Sequence, residues 1–320
     1  MSGGAVLNVQ DQLVGIHASA ERADQISEST GKLVATGTNQ AVPIAFYNQW
    51  VSGAANVASS SQATTAEDYL AQAWQLLGKK GKEQEVKRLA NQALSLKPSA
   101  DGYRYRGYAK GNLGDYKGAL ADLNQAIALD PQDHKAYDNR GYARSELGDK
   151  QGAIADYNQA LAIDPRNSMT YVNRGNAKFD LGDKQGAIAD YNQALAIDPR
   201  LALAYYCRGN AKFDLGDKQG AIADYSQALA IVPRHAVAYM NRGNTRPDLG
   251  DKQGAIADYN QAFAIDPRLA LVYINRGTAK LALGDNYGAC ADYKQASALG
   301  YQDAINFLRS ERGSWCLRMQ

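Results

Sequence analysis

The chain has 320 residues, 45% of them hydrophobic, with 35 basic residues set against 33 acidic ones and a formal net charge of +2. That length suits two domains or one stack of neighbour-packed repeats, and the apolar content is ample for a core. Because the charges are interleaved and nearly balanced, neither nucleic acid nor an anionic membrane is implied as a partner, and no apolar run of about 18 residues is present to form a transmembrane helix. Cys207, Cys290 and Cys316 are odd in number and widely spaced, so neither a disulfide framework nor a metal cluster is expected. The opening MSGGAVLNVQ has no basic n-region and no long apolar segment. No signal peptide can be read there, and the expected compartment is cytoplasmic.

Residues 1 to about 50 carry strand-like runs. Ala5 to Leu7, the polar Asn8 to Gln12 and Leu13 to His17 read as a β-hairpin, Ala41 to Ile44 as a further strand, and Tyr47 to Val57 as a helix. Met1-Ser2-Gly3-Gly4-Ala5-Val6-Leu7-Asn8, Leu13-Val14-Gly15-Ile16 and Asn39-Gln40-Ala41-Val42-Pro43-Ile44 resemble the last part of chymotrypsin-like serine proteases. There a Gly-x-Ser-Gly-Gly-Pro segment leads into a hairpin ending in Leu-Val-Gly-Ile. The resemblance puts Ser2 in the nucleophile's place, with Ala5 where proline is usual. The glycine two residues before the serine, whose N–H is half of the oxyanion hole and worth about 3 to 4 kcal/mol, has no counterpart. His17, His134 and His235 do not match the missing base, so no catalytic residue is assigned. Residues 1–58 form this segment, and residues 59–66, SSSQATTA, read as a linker.

Downstream, one pattern repeats. Arg-Gly begins at Arg106, Arg140, Arg174, Arg208, Arg242 and Arg276, and Leu-Gly-Asp keeps the same 34-residue step from Leu113 to Leu283. A 34-residue period carrying two helical patterns and a closing proline resembles the tetratricopeptide (TPR) repeat. The resemblance implies an all-α, right-handed superhelical solenoid of antiparallel helix pairs. Residues 67–99 read as a degenerate first unit, with Leu70, Trp74 and Leu77 on one amphipathic helix; 100–302 hold six regular units; 303–320 form a capping helix and tail.

Each repeated residue has a physical reason. Tyr137 and its equivalents are large apolar anchors on the first helix. Gly141 and its equivalents permit close helix approach, with Ala153 and its equivalents facing that contact. Tyr157 and its equivalents fill the space between units, and Pro131, Pro165, Pro199, Pro233 and Pro267 stop the second helix; Gly300 takes over as C-cap in the last unit. Six arginines at the seventh position match six aspartates at the twenty-third, Asp122 to Asp292, which favours ion pairs over a free anion-binding stripe. Pro247 stands where Phe179 and Phe213 stand in other units and should end its helix early.

In TPR proteins the first helices line the concave face. Carrying over that family's inward positions implies a peptide-binding groove of Asn139, Tyr142, Asn173, Asn176, Phe179, Tyr206, Asn210, Phe213, Met240, Asn241, Asn244, Ile274 and Asn275. Asparagine carries both a donor and an acceptor, so a ladder of them can grip an extended backbone; a hydrated polar face or contacts between adjacent units are the alternatives. Met169, Val172, Leu203, Val237 and Leu271 add apolar character, and Asp180, Asp214 and Asp248 make one rim acidic. The implied function is a non-enzymatic scaffold for an apolar or mildly basic protein segment, without cofactor, metal, nucleic acid or membrane insertion and of undetermined oligomeric state. The alternative is the C-terminal fragment of a TPR-fused serine protease.

Overall fold

The computed structural model describes residues 65–310 and 313–318. The hairpin, Ser2 and the protease-like segment lie outside the described residues, as does most of the linker. Within them every regular element is helical. The degenerate pair is α1 (Ala66–Leu76) and α2 (Glu83–Leu96). Six pairs follow: α3 (Ala100–Asn112) with α4 (Tyr116–Leu129), α5 (His134–Glu146) with α6 (Lys150–Ile163), α7 (Ser168–Asp180) with α8 (Lys184–Ile197), α9 (Ala202–Asp214) with α10 (Lys218–Ile231), α11 (Ala236–Thr245) with α12 (Lys252–Ile265), and α13 (Ala270–Leu281) with α14 (Asn286–Ala298). Two short helices, α15 (Gln302–Arg309) and α16 (Ser314–Leu317), close the described chain. The chain divides into two compact units, one ending at Asn173 and the other beginning at Arg174.

Leu-Gly-Asp explains the tight turn inside each pair. After α5, Gly148 takes φ +87°, open to glycine without steric cost, and the Asp149 N–H reaches back to the Arg144 carbonyl at 2.9 Å. Asp149 then caps α6 by accepting from the Gly152 N–H at 2.9 Å, an interaction of about 1 kcal/mol. The same residues at the same step make the same turn five more times, because nothing in it depends on the neighbouring pair.

The helix-pair contact differs from the sequence expectation. Gly141 is faced by Tyr157, not by alanine: a Cβ at Gly141 would sit 2.7 Å from Tyr157 Cε1, and Gly175 stands likewise 2.6 Å from the Tyr191 ring. These tyrosines therefore pack inside their own pair instead of filling the space between units. The alanines are buried beside them, Ala153 and Ala187 at 0% exposure. In α1 the expected Trp74 is 57% exposed, and Ala66 and Ala73 hold the buried face, with Leu70 and Leu77 packed against Val86 and Leu89. That helix begins at Ala66, with Thr65 and Asp68 forming a capping box at the end of the presumed linker.

Pro247 acts as expected. α11 ends at Thr245, and Arg246–Leu249 is a 3₁₀ turn. At the end of the chain Gly300 caps α14 at φ +82°. Cys290 on α14 and Cys316 on α16 are joined by a disulfide with Cα atoms 5.3 Å apart, a single bridge where the sequence suggests no disulfide framework. Two cysteines 26 residues apart give no periodic signal, and only the folding-back of α15 and α16 brings them together.

Two outcomes follow from this packing. Pro247→Phe should extend α11 and raise the midpoint of urea denaturation by on the order of 1 kcal/mol of stability, the helical gain being partly offset by the freer unfolded chain. Cys316→Ser should cost about 2 to 4 kcal/mol locally, read as faster amide exchange in α15 and α16 with the pairs before α13 unchanged, since each pair contacts only its neighbours.

Candidate ligand-binding surface

The first helices carry the candidate residues, and the arginine–aspartate pairs hold those helices in place. Arg140 donates from Nε to Asp156 Oδ2 at 3.0 Å and from Nη2 to Oδ1 at 2.6 Å, a bidentate fork, and all six pairs repeat it. The aspartate side chains are 3–5% exposed. A second cation reaches each carboxylate: Lys110, Arg144, Lys178, Lys212, Arg246 or Lys280. Arg140 Nη1 also donates to Asn124 on the preceding α4 at 2.8 Å. The arginines are thus committed to structure, and no anion-binding stripe remains.

In the second unit a cavity of about 280 Å³ is lined by Phe179 of α7, Asn210, Phe213 and Asp214 of α9, Tyr225 of α10, and Asn241 and Asn244 of α11. Its amides are oriented by a network. Asn210 Oδ1 accepts from the Tyr225 hydroxyl at 2.8 Å and from Asn241 Nδ2 at 3.1 Å, and Asn241 Nδ2 also donates to the Tyr206 hydroxyl at 3.2 Å. Flipping Asn210 would set its NH₂ against another NH₂ and the phenol. Burial pushes the Tyr225 hydroxyl well above the usual phenol range, so it stays a donor. What is left over is the Asn210 NH₂ as donor and the Asn241 Oδ1 as acceptor, between two phenylalanines.

The ladder is consequently part contact between repeats and part open amide. Asn275 Nδ2 donates to Asn244 Oδ1 at 2.8 Å, and Asn244 Oδ1 also accepts from Tyr259 at 2.9 Å. Asn176 accepts from Tyr191 at 2.8 Å but receives no amide from the next helix, where Cys207 replaces asparagine. Burial pushes the Cys207 thiol up to about 12, leaving it a neutral, poorly nucleophilic group. Tyr206 stacks on His235 with ring centroids 5.0 Å apart. Met240 and Ile274 pack against the buried clusters of α12 and α14, and Met169 and Val172 are buried, so none of these lines the cavity. The acidic rim is neutralised in part: Asp214 pairs with Lys184 at 3.0 Å and Asp248 with Lys218 at 2.7 Å.

In the first unit a cavity of about 180 Å³ gathers Asn139, Tyr142 and Asn173 with Gly107, Tyr108, Gly111, Asn112 and Asp138. Asp138 was not singled out from the sequence. Its only signal there is a carboxylate at a position where the other units carry Arg104, Val172, Tyr206, Met240 and Ile274. No group of three or more His, Cys, Asp or Glu side chains that could hold a metal is present among the described residues, and no described helix is long and apolar enough to cross a membrane.

Family models for the TPR repeat match residues 107–148, 141–182, 175–216 and 209–250, and one for the tetratricopeptide repeat matches 236–269, together half of the chain. The chain belongs to the tetratricopeptide repeat family. Similar solved TPR folds include the APC/C hetero-tetramer Cut9–Hcn1, with TM-score 0.62, 17% identity, and 85% of this chain and 51% of that one covered. A TPR protein from Parabacteroides merdae ATCC 43184 has TM-score 0.54, 21% identity and coverage of 79% and 97%. YrrB, a TPR protein with an unusual peptide-binding site, has TM-score 0.50, 19% identity and coverage of 57% and 96%. No curated protein matches significantly in sequence. At these identities the structures speak to the TPR fold alone.

Arg174→Ala strands the buried Asp190 with only Lys178 beside it and should cost on the order of 3 kcal/mol in chemical denaturation. A loss below about 0.5 kcal/mol, the value of an exposed pair, would refute the structural role of the fork.

Proposed function

We propose that this TPR chain is a non-enzymatic interaction scaffold that holds an extended peptide or protein segment on its first helices, with the cavity between α7, α9 and α11 as a gripping point. The observation that carries the reading is the fixed amide pair: the Asn210 NH₂ and Asn241 Oδ1, left over by the tyrosine network, match the C=O and N–H of a peptide backbone. Phe179 and Phe213 beside them supply apolar contact for a side chain of the bound segment. Such a grip is independent of most of the ligand's sequence, as suits backbone recognition. The peptide-binding site of YrrB, on a similar fold, is consistent with this reading.

The test is selection of displayed peptides on the full chain, followed by capture with Phe213→Ala and Asn241→Ala. Phe213 is 38% exposed, so its truncation should leave the melting temperature within a degree or two of wild type, while capture drops roughly tenfold or more. Unchanged capture by both variants would remove the cavity from the binding surface.

A further inference from the structure

We propose that the cavity of the first unit, between α3, α5 and α7, is a pocket for a cationic side chain, an arginine of the bound segment, with Asp138 as its counter-ion. The inference rests on the scaffold reading and names a chemical class of ligand for a different pocket.

The argument starts from charge. Six buried aspartates in this protein each hold two cations, whereas Asp138 has no cationic partner among the described residues. Asn173 Nδ2 donates to it at 3.3 Å, the neutral Thr170 hydroxyl stands beside it on the same helix as Asn173, and the side chain is half-buried. Burial pushes its carboxyl above the usual carboxylate range, the bonds from Thr170 and Asn173 offsetting only part of the shift. A partly buried carboxylate without a counter-ion is destabilising. The repeat does not require it, since the positions one repeat apart are Arg104, Val172, Tyr206, Met240 and Ile274.

What surrounds Asp138 suits a cation. No lysine or arginine lines the cavity, and its other polar residues are Asn112, Asn139, Asn173, Tyr108 and Tyr142. Tyr108 and Tyr142 occupy the ninth position, where the later units carry Asn176, Asn210 and Asn244, so two aromatic rings stand beside the carboxylate only in this unit. Tyr142 is 39% exposed and packs edge-on against Tyr116, whose hydroxyl donates to Glu146 at 3.2 Å, adding a second negative charge nearby. Gly107 and Gly111 line the α3 wall with backbone alone, their missing side chains facing Leu123 and Ala119 of α4. A carboxylate, amide oxygens and aromatic faces together bind a planar guanidinium best: it is weakly hydrated, forks onto a carboxylate and stacks on tyrosine. A volume of about 180 Å³ admits one such side chain.

The experiment is a titration of the isotope-labelled full chain with Ac-Ala-Arg-Ala-NH₂, its lysine counterpart and its citrulline counterpart, which has nearly the same shape without the charge. The arginine peptide should shift the amide signals of Tyr108, Asp138, Asn139 and Tyr142 saturably. The citrulline peptide should bind roughly tenfold or more weakly, and the lysine peptide should fall between them. Asp138→Asn should remove the arginine preference while holding or raising the melting temperature, since it removes the unpaired charge and keeps the shape. Equal binding of arginine and citrulline peptides, an unaltered preference in Asp138→Asn, or no saturable shift up to about 10 mM peptide would each overturn the proposal. Capture of selected peptides through Phe213 and Asn241 with no arginine preference here would sink this inference alone; loss of that dependence as well would sink the scaffold reading with it.

Discussion

The bidentate arginine–aspartate fork is the constraint on which the rest of the array depends. It joins the first helix of each pair to the second through a buried carboxylate, and Nη1 of Arg106, Arg140, Arg208 and Arg276 reaches an asparagine of the preceding pair. One side chain therefore fixes both the angle within a pair and the register between pairs. Buried ion pairs add little net stability against an apolar alternative, because desolvation offsets most of the attraction. Their contribution here is positional: a fork tolerates far less rotation than a leucine in the same place, and it is planar enough to lie over Tyr137 or Tyr205 at 5.4 Å.

With the fork in place, the remaining framework is local. Leu-Gly-Asp turns the chain, the aspartate caps the next helix, and the tyrosine of the second helix fills the notch left by the glycine of the first. Each device needs only residues within about half a repeat, which is why the period alone exposes so much of the architecture. Pairing of Arg174 with Asp190 follows from matched positions on two helices, and the break at Pro247 follows from a missing N–H. Which residue meets Gly141 does not follow. Alanine and tyrosine four positions apart share a helix face, and only the rotation of the second helix decides that the ring, and not the methyl, covers the glycine. The disulfide between Cys290 and Cys316 was illegible for a related reason: it lies in the cap, where the period has ended and no pattern relates α16 to α14.

The candidate surface was legible in a weaker sense. Family positions placed Asn210, Phe213, Asn241 and Asn244 at one cavity and Asn139, Tyr142 and Asn173 at another, but could not tell a side chain that lines a cavity from one that packs beneath it. Met240 and Ile274 point along the same stripe and are taken up by the core. The asparagines are divided atom by atom: Oδ1 of Asn210 belongs to the fold, and its NH₂ does not. Sequence names residues, whereas hydrogen bonding distributes atoms.

The contrast between framework and surface also says where specificity resides. Arginine, glycine, aspartate and the second-helix alanine hold their identities from pair to pair because the fork and the turn leave no latitude. The fifth and ninth positions of the first helices take part in neither the fork nor the turn, and there the pairs diverge: Arg104, Asp138, Val172, Tyr206, Met240 and Ile274 at one, and Tyr108, Tyr142, Asn176, Asn210, Asn244 and Thr278 at the other. A duplicated scaffold whose identical positions are structural can change its ligand only through the positions that the structure leaves free. In this chain those positions bring Asp138, Tyr108 and Tyr142 to the cavity of the first unit and Asn210 to that of the second.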